Sequence, residues 1–225
     1  MRHKYPRTPH MPFSPGVTKD DRVLRTLEAF SGRDVVVTWK MDGENTTLYR
    51  NGFHARSLDS RHHPSRDWLA RFHAQIAHEI PPGWRICGEN LYARHTLAYE
   101  ALPSYFMGFS VWDARNVALG WAETLDVLSR LGITPVKEIP ELCGPFTSDA
   151  RGALERFVRR IDTTRHEGIV MRLTDEFAYE DFGSSVAKWV RKEHVGTSRH
   201  WMHAQVVPNG LAQTPSCAGA SHPSG

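Results

Sequence analysis

Apolar and polar positions change their period several times along the chain. The β-branched run Val35-Val36-Val37-Thr38 leads into Trp39-Lys40-Met41-Asp42-Gly43-Glu44-Asn45 and then into Thr46-Thr47-Leu48-Tyr49. This predicts strand, tight turn, strand, with Gly43 at the bend. Asn51-Gly52 marks a hairpin that returns through Phe53-His54-Ala55-Arg56. From Pro64 to Ile80 the period is helical, with Trp68, Leu69, Phe72, Ile76 and Ile80 on one face, and Pro81-Pro82-Gly83 stops it. Strands are predicted over Trp84–Tyr92 and Tyr105–Asp113, and helices over 121–131 and 149–161. Two more strands are predicted, around His166–Arg172 and Ser185–Lys192. A further helix is expected from Thr18-Lys19-Asp20-Asp21, whose acids suit a first turn, through Val23, Leu24, Leu27 and Phe30 to Ser31-Gly32. The sum is an α+β chain of mainly antiparallel strands with helices outside.

Composition adds boundaries. Residues 1–19, with Pro6, Pro9, Pro12 and Pro15, form an extended N-terminal arm, and residues 20–205 form one domain. Residues 206–225, rich in Pro, Ser, Gly and Ala, are expected to be disordered. Hydrophobic content of 40% and charged content of 24% over 225 residues are globular values. The net charge of +3 permits a polyanionic partner without demanding one. No apolar run suits a membrane span, and Met1-Arg2-His3-Lys4-Tyr5-Pro6 carries no apolar signal core. Cys87, Cys143 and Cys217 are too few and too scattered for a disulfide framework or a zinc site. These features point to a reduced, cytoplasmic protein without membrane contact.

The chemistry starts at Lys40. An ammonium at the end of a buried strand costs free energy unless it is paired. Partial desolvation is also what a nucleophilic lysine uses, since a lowered pKa frees the amine. Lys40-Met41-Asp42-Gly43-Glu44-Asn45 resembles the nucleotidyl-transfer motif of the covalent nucleotidyltransferases, which include ATP-dependent RNA and DNA ligases and capping enzymes. Its Glu-Asn ending resembles the RNA ligases, above all the phage RNA ligase 2-like type. The resemblance implies an ATP-grasp-like ligase adenylation fold, and with only 33 residues after Lys192 no OB domain is expected. It also implies that Lys40 attacks the α-phosphate of ATP and becomes lysyl-AMP.

Five more segments match that family in order. Arg56-Ser57 resembles the motif whose arginine contacts phosphate or ribose, a task that suits a guanidinium. Gly88-Glu89-Asn90 resembles the motif whose glutamate accepts from ribose hydroxyls. Phe109-Ser110-Val111-Trp112-Asp113 resembles the aromatic motif that stacks on the purine, with Trp112 as first candidate and Phe109 as second. Glu167-Gly168-Ile169-Val170 resembles the motif whose glutamate lies near the catalytic metal, which makes Glu167 the expected ligand for Mg²⁺ or Mn²⁺. The last motif, at Lys188-Trp189-Val190-Arg191-Lys192, gives Lys188 to the α-phosphate and leaves Arg191 or Lys192 as second cation. The catalytic set is then Lys40, Glu167 and Lys188, with Trp39, Asn45, Arg56, Glu89, Trp112 and Arg191 around the nucleotide. Trp39 departs from the family, which often has glutamate there.

The function implied is RNA ligation. AMP passes from the lysine to an RNA 5′-phosphate, and a 3′-hydroxyl then displaces it. The basic, aromatic segment His194–Met202 suits contact with nucleic acid. The resemblance also implies an end-healing kinase-phosphatase or another protein as partner. DNA ligase, GTP-dependent capping-type transfer and a non-catalytic nucleotide- or RNA-binding module are the rival readings.

Overall fold

The computed structural model describes residues 2–58, 62–192 and 206–213. The chain runs β1 (Asp34–Lys40), β2 (Glu44–Tyr49), β3 (Gly52–Ala55), α1 (Asp67–Ile76), β4 (Arg85–Asn90), β5 (Phe106–Trp112), β6 (Val117–Ala118), α2 (Trp121–Arg130), β7 (Thr134–Pro135), β8 (Gly144–Pro145), α3 (Ser148–Val158), β9 (Gly168–Leu173), β10 (Phe177–Ala178), α4 (Phe182–Ser185) and β11 (Val186–Val190). One sheet has the order β11-β9-β1-β8. The other has the order β10-β6-β5-β4-β2-β3, with β7 beside β5. Every pairing except β5 with β7 is antiparallel. No helix among the described residues is long and apolar enough to cross a membrane.

Strand alternation sends each sheet's faces to different neighbours. In the first sheet Val35, Val37, Ile169, Met171, Ala187 and Trp189 join one core with Leu154 and Val158 of α3. The intervening positions Val36, Thr38, Lys40, Val170, Arg172 and Lys188 therefore face the other way, toward the second sheet. That sheet buries Leu48, Ile86, Phe106 and Val111 against α1 and α2. Its other face closes on the first sheet, and a cavity of about 640 Å³ lies where both sheets contribute side chains.

The long helices predicted after Pro64, at 121 and at 149 form, trimmed at their ends. The helix expected from Thr18 does not. Thr18 donates from N and Oγ1 to Asp21 Oδ2, at 3.0 and 2.7 Å, and this closes a local turn. The chain then runs extended beside His10, leaving only the short turn of helix Glu28–Phe30. Val23 is exposed while Leu27 and Phe30 are buried, so no single helical face exists to bury.

The N-terminal arm is extended and packed. Lys188 N donates to Pro9 O at 2.9 Å and Met11 N to Lys188 O at 2.7 Å, which seats the arm along β11. Met11 is fully buried. The expected disorder of 206–225 is corrected for residues 206–213. Asn209 is buried there, its Nδ2 donates to Leu91 O at 2.7 Å, and its Oδ1 accepts from Tyr99 N at 2.9 Å. The segment His194–Met202 lies outside the described residues.

Candidate active site

Lys40 ends β1 on the cavity face, opposite Gly168 of β9 in register. Glu167 immediately precedes β9, and its Oε2 accepts from Lys40 Nζ at 2.5 Å. Gly168 is dictated by space, since a Cβ there would meet the Trp189 carbonyl oxygen at 2.0 Å. Lys188 lies on the same face of β11, opposite Val170, with Asp21 Oδ1 3.8 Å from its Nζ. Three neighbouring strands of one sheet thus position Lys40, Glu167 and Lys188, with Glu167 at the mouth of β9.

The second sheet supplies the opposite wall. Asn45 of β2 pairs with Glu89 of β4, and both line the cavity. Glu89 Oε1 accepts from Gly43 N at 3.2 Å, tying the lysine turn to β4. Gly43 is pressed against β4, because a Cβ there would stand 2.5 Å from Asn90 O. Asn45 Oδ1 is buried without a hydrogen-bond partner among the described residues, so it is a polar atom held ready for a ligand. Arg56 lies at the rim, just past β3.

The two aromatic candidates separate. Trp112 is fully buried among Phe177, Tyr179 and Phe182, with the Arg85 guanidinium 4.5 Å over its ring. It is core and does not line the cavity, which corrects the expectation that it stacks on the purine. Phe109 lines the cavity instead. The register of β4 on β5 shifts there, with Cys87 opposite Ser110 and Gly88 opposite Gly108. Phe109 is the extra residue of this bulge, a device that re-aims a side chain.

The last motif also changes. Arg191 Nη1 donates to Thr163 O at 3.1 Å, and its backbone N donates to Glu167 O at 3.0 Å. Neither Arg191 nor Lys192 lines the cavity. The strand ends at Val190, so the face shared along it stops short of both. Trp39 borders the cavity, but its ring stacks on His166 at 3.8 Å.

Asp42, His95, Asp21 and Arg172 also line the cavity, and the sequence reading gave them no role. Asp42 Oδ2 accepts from Thr96 N at 2.8 Å and Leu97 N at 2.7 Å, which draws His95 to the rim. Asp21 arrives from the arm turn. Arg172, two residues on from Val170, donates from Nη2 to Leu119 O at 2.7 Å. Alternation along β9 was the available clue for Arg172. Nothing local marks His95 or Asp21.

Burial sets the charge states. It pushes the Glu89 carboxyl up to about 8, with Lys40 opposing and Glu167 and Asp42 adding. It pushes Lys188 down to about 8, against the pull of Asp21. Arg172 falls to about 10, also by burial. For Lys40, burial is the largest single influence and pushes downward. Glu167, Glu89 and Asp42 together outweigh it, and the pKa is raised. The expected depression of Lys40 is thus reversed, because three carboxylates surround the amine.

Among the described residues no three His, Cys, Asp or Glu side chains converge as a metal cage. A buried carboxylate at Glu167, beside a cavity with an unpartnered amide oxygen, fits an ion that keeps its waters and takes its other oxygens from phosphate.

A family model described as RNA ligase matches residues 33–190. No curated protein matches the sequence. Among solved structures, the chain resembles an archaeal ATP-dependent RNA ligase with a TM-score of 0.56 at 16% identity, over 84% of this chain and 48% of that one. An Aquifex aeolicus protein provisionally described as an ATP-dependent DNA ligase gives 0.52 at 17%, over 85% and 50%. An RNA ligase of Naegleria gruberi, with pyrophosphate, gives 0.51 at 17%, over 73% and 51%. These likenesses are of fold. The chain spans about half the length of these solved structures.

Proposed function

The chain belongs to the RNA ligase family, and from that premise we propose that it is an ATP-dependent RNA ligase working through a covalent lysyl-adenylate. The observation that carries this reading is the contact of Lys40 Nζ with Glu167 Oε2 at 2.5 Å, on the wall of a cavity that Lys188 and Arg56 also line. A carboxylate so close can take the proton that the amine must lose before it attacks. The freed Nζ bonds to the α-phosphorus of ATP, and the bond to the outgoing pyrophosphate oxygen breaks. Lys188, already short of its ordinary affinity for a proton, gains a partner in the phosphate charge. Asn45 and Glu89 face the nucleotide from the second sheet, and Phe109 is the aromatic that can stack on its base. Glu167 would hold a divalent ion, magnesium or manganese, which when bound supplies charge neutralisation at the phosphates.

In the second step an oxygen of an RNA 5′-phosphate attacks the adenylate phosphorus, and the Lys40 nitrogen leaves. A 3′-hydroxyl oxygen then attacks the RNA 5′-phosphorus, closing the strand and releasing AMP. An end-healing enzyme that leaves 5′-phosphate and 3′-hydroxyl termini is the fitting partner for this chemistry. The same first step would serve a DNA ligase, and the acceptor separates the two.

Intact-mass spectrometry after incubation with ATP and magnesium tests the reading. The wild-type protein gains one AMP, and Lys40→Ala gains none. An adduct on Lys40→Ala, or incorporation from GTP in place of ATP, sinks the assignment. Sealing of nicked RNA but not of nicked DNA by the labelled protein fixes the acceptor.

A further inference from the structure

The N-terminal arm supplies a wall of the cavity, yet it lies outside the matched span 33–190. It is anchored on both sides of Arg7. On one side the Tyr5 ring packs edge-on against Phe109 and Phe182, with centroids 5.2 and 5.1 Å away. On the other, Pro9 O accepts from Lys188 N at 2.9 Å and His10 N donates to Arg22 O at 2.7 Å. Between these anchors Arg7 Nη1 donates to Asp20 O at 3.0 Å, which leaves the rest of its fork for a ligand.

Arg56 reaches the same cavity from the end of β3. Among the described residues no carboxylate lies within 4.0 Å of either guanidinium. The two do feel one another. Burial first, and then the like charge of Arg7, hold Arg56 below its usual arginine value. Asp21, the acid whose charge acts most on Arg56, is already shared between Thr18 and Lys188. Two guanidiniums from separate elements, both lining a cavity that holds a lysine–carboxylate pair, suit a multiply charged oxyanion.

We propose that Arg7, carried by the N-terminal arm, adds a second phosphate-binding guanidinium beside Arg56, which makes the arm part of the substrate-binding surface. This rests on the ligase reading only for the source of the phosphate. That source is either the outgoing pyrophosphate portion of ATP or the 5′-phosphate of the RNA. Arg7 is a binding residue here, and Arg7→Lys keeps the charge while losing the fork.

The test compares wild type, Arg7→Ala and Arg7→Lys. Calorimetric titration with inorganic pyrophosphate reads the shared chemistry, and Arg7→Ala should bind about tenfold more weakly, the scale of one charge-assisted hydrogen bond. Arg7→Lys should fall between. If the ATP concentration for half-maximal labelling rises by a similar factor with an unchanged plateau, ATP is the source. If labelling is unchanged and AMP transfer to 5′-phosphorylated RNA slows, the RNA end is the source. Equal pyrophosphate affinity in all three proteins, with labelling and transfer untouched, overturns the proposal. A wild type that takes no label at all counts against the ligase reading alone, and the pyrophosphate titration still decides the subsite.

Discussion

Lys40 and Glu167 on one wall of the cavity and Glu89 on the opposite wall act on one another's charge. Burial raises Glu89 to about 8, and neighbouring acids add to the shift. Its folded pKa therefore exceeds its ordinary value of 4.5, and between the two Glu89 holds more proton in the folded protein than in the unfolded chain. The contribution of Glu89 to stability then falls as pH rises from about 4.5 to about 8. Glu89→Gln keeps the acceptor oxygen toward Gly43 N and removes the titration. Its denaturant midpoint should decline less over that window than the wild type's. Parallel declines would show that Glu89 ionises as freely in the fold as outside it. At this scale the sequence was most informative where a motif fixed both residue and offset, as at Lys40 and Glu167. It was least informative for Phe109 and Trp112, because residues three apart on a regular strand point oppositely, and a bulge decides which one meets the cavity.

Strands carry the site, and their register is set by close approaches that only glycine permits. Gly168 lies between Lys40 on β1 and Val190 on β11. Added as Ala, its Cβ would meet the Trp189 backbone at 2.0 Å from oxygen and 3.0 Å from carbon. Backbone cannot swing aside as a flexible side chain can, so β9 and β11 must part. Gly168→Ala should cost about 1–3 kcal/mol, the range for overpacking, and should cut the rate of AMP labelling by moving Glu167 from Lys40. Unfolding in denaturant and the labelling time course measure both, and a variant with wild-type values for each would show that the sheet absorbs the methyl. Most strands and all three long helices were legible because their apolar periods were unbroken over several turns or alternations. The two-residue strands β6, β7, β8 and β10 carry no period to read. The false helix after Thr18 shows the converse error, in which helical spacing existed but a side chain of the same segment closed a turn first.

At the scale of the whole molecule, the N-terminal segment that composition marked as an extended arm is packed against the sheet. Proline enrichment correctly excludes a helix there, but it does not exclude an extended segment added beside a strand edge. Met11 is fully buried in the core that also holds Leu27, Phe30, Ala187 and Trp189. A buried methionine cut to alanine typically costs about 2–5 kcal/mol, so Met11→Ala should lower the unfolding free energy by that much, read from a lower denaturant midpoint. Arg7, four residues earlier and exposed, should leave the midpoint where it is. The pair of variants separates two jobs of one segment: Met11 ties the arm into the core, and Arg7 uses that tie to present charge. If Met11→Ala is as stable as the wild type, the arm is not held by the core, and Arg7 has no fixed position from which to bind. If it is destabilised and also labels poorly at temperatures where it remains folded, the edge pairing of the arm with Lys188 is what keeps that lysine facing the phosphate.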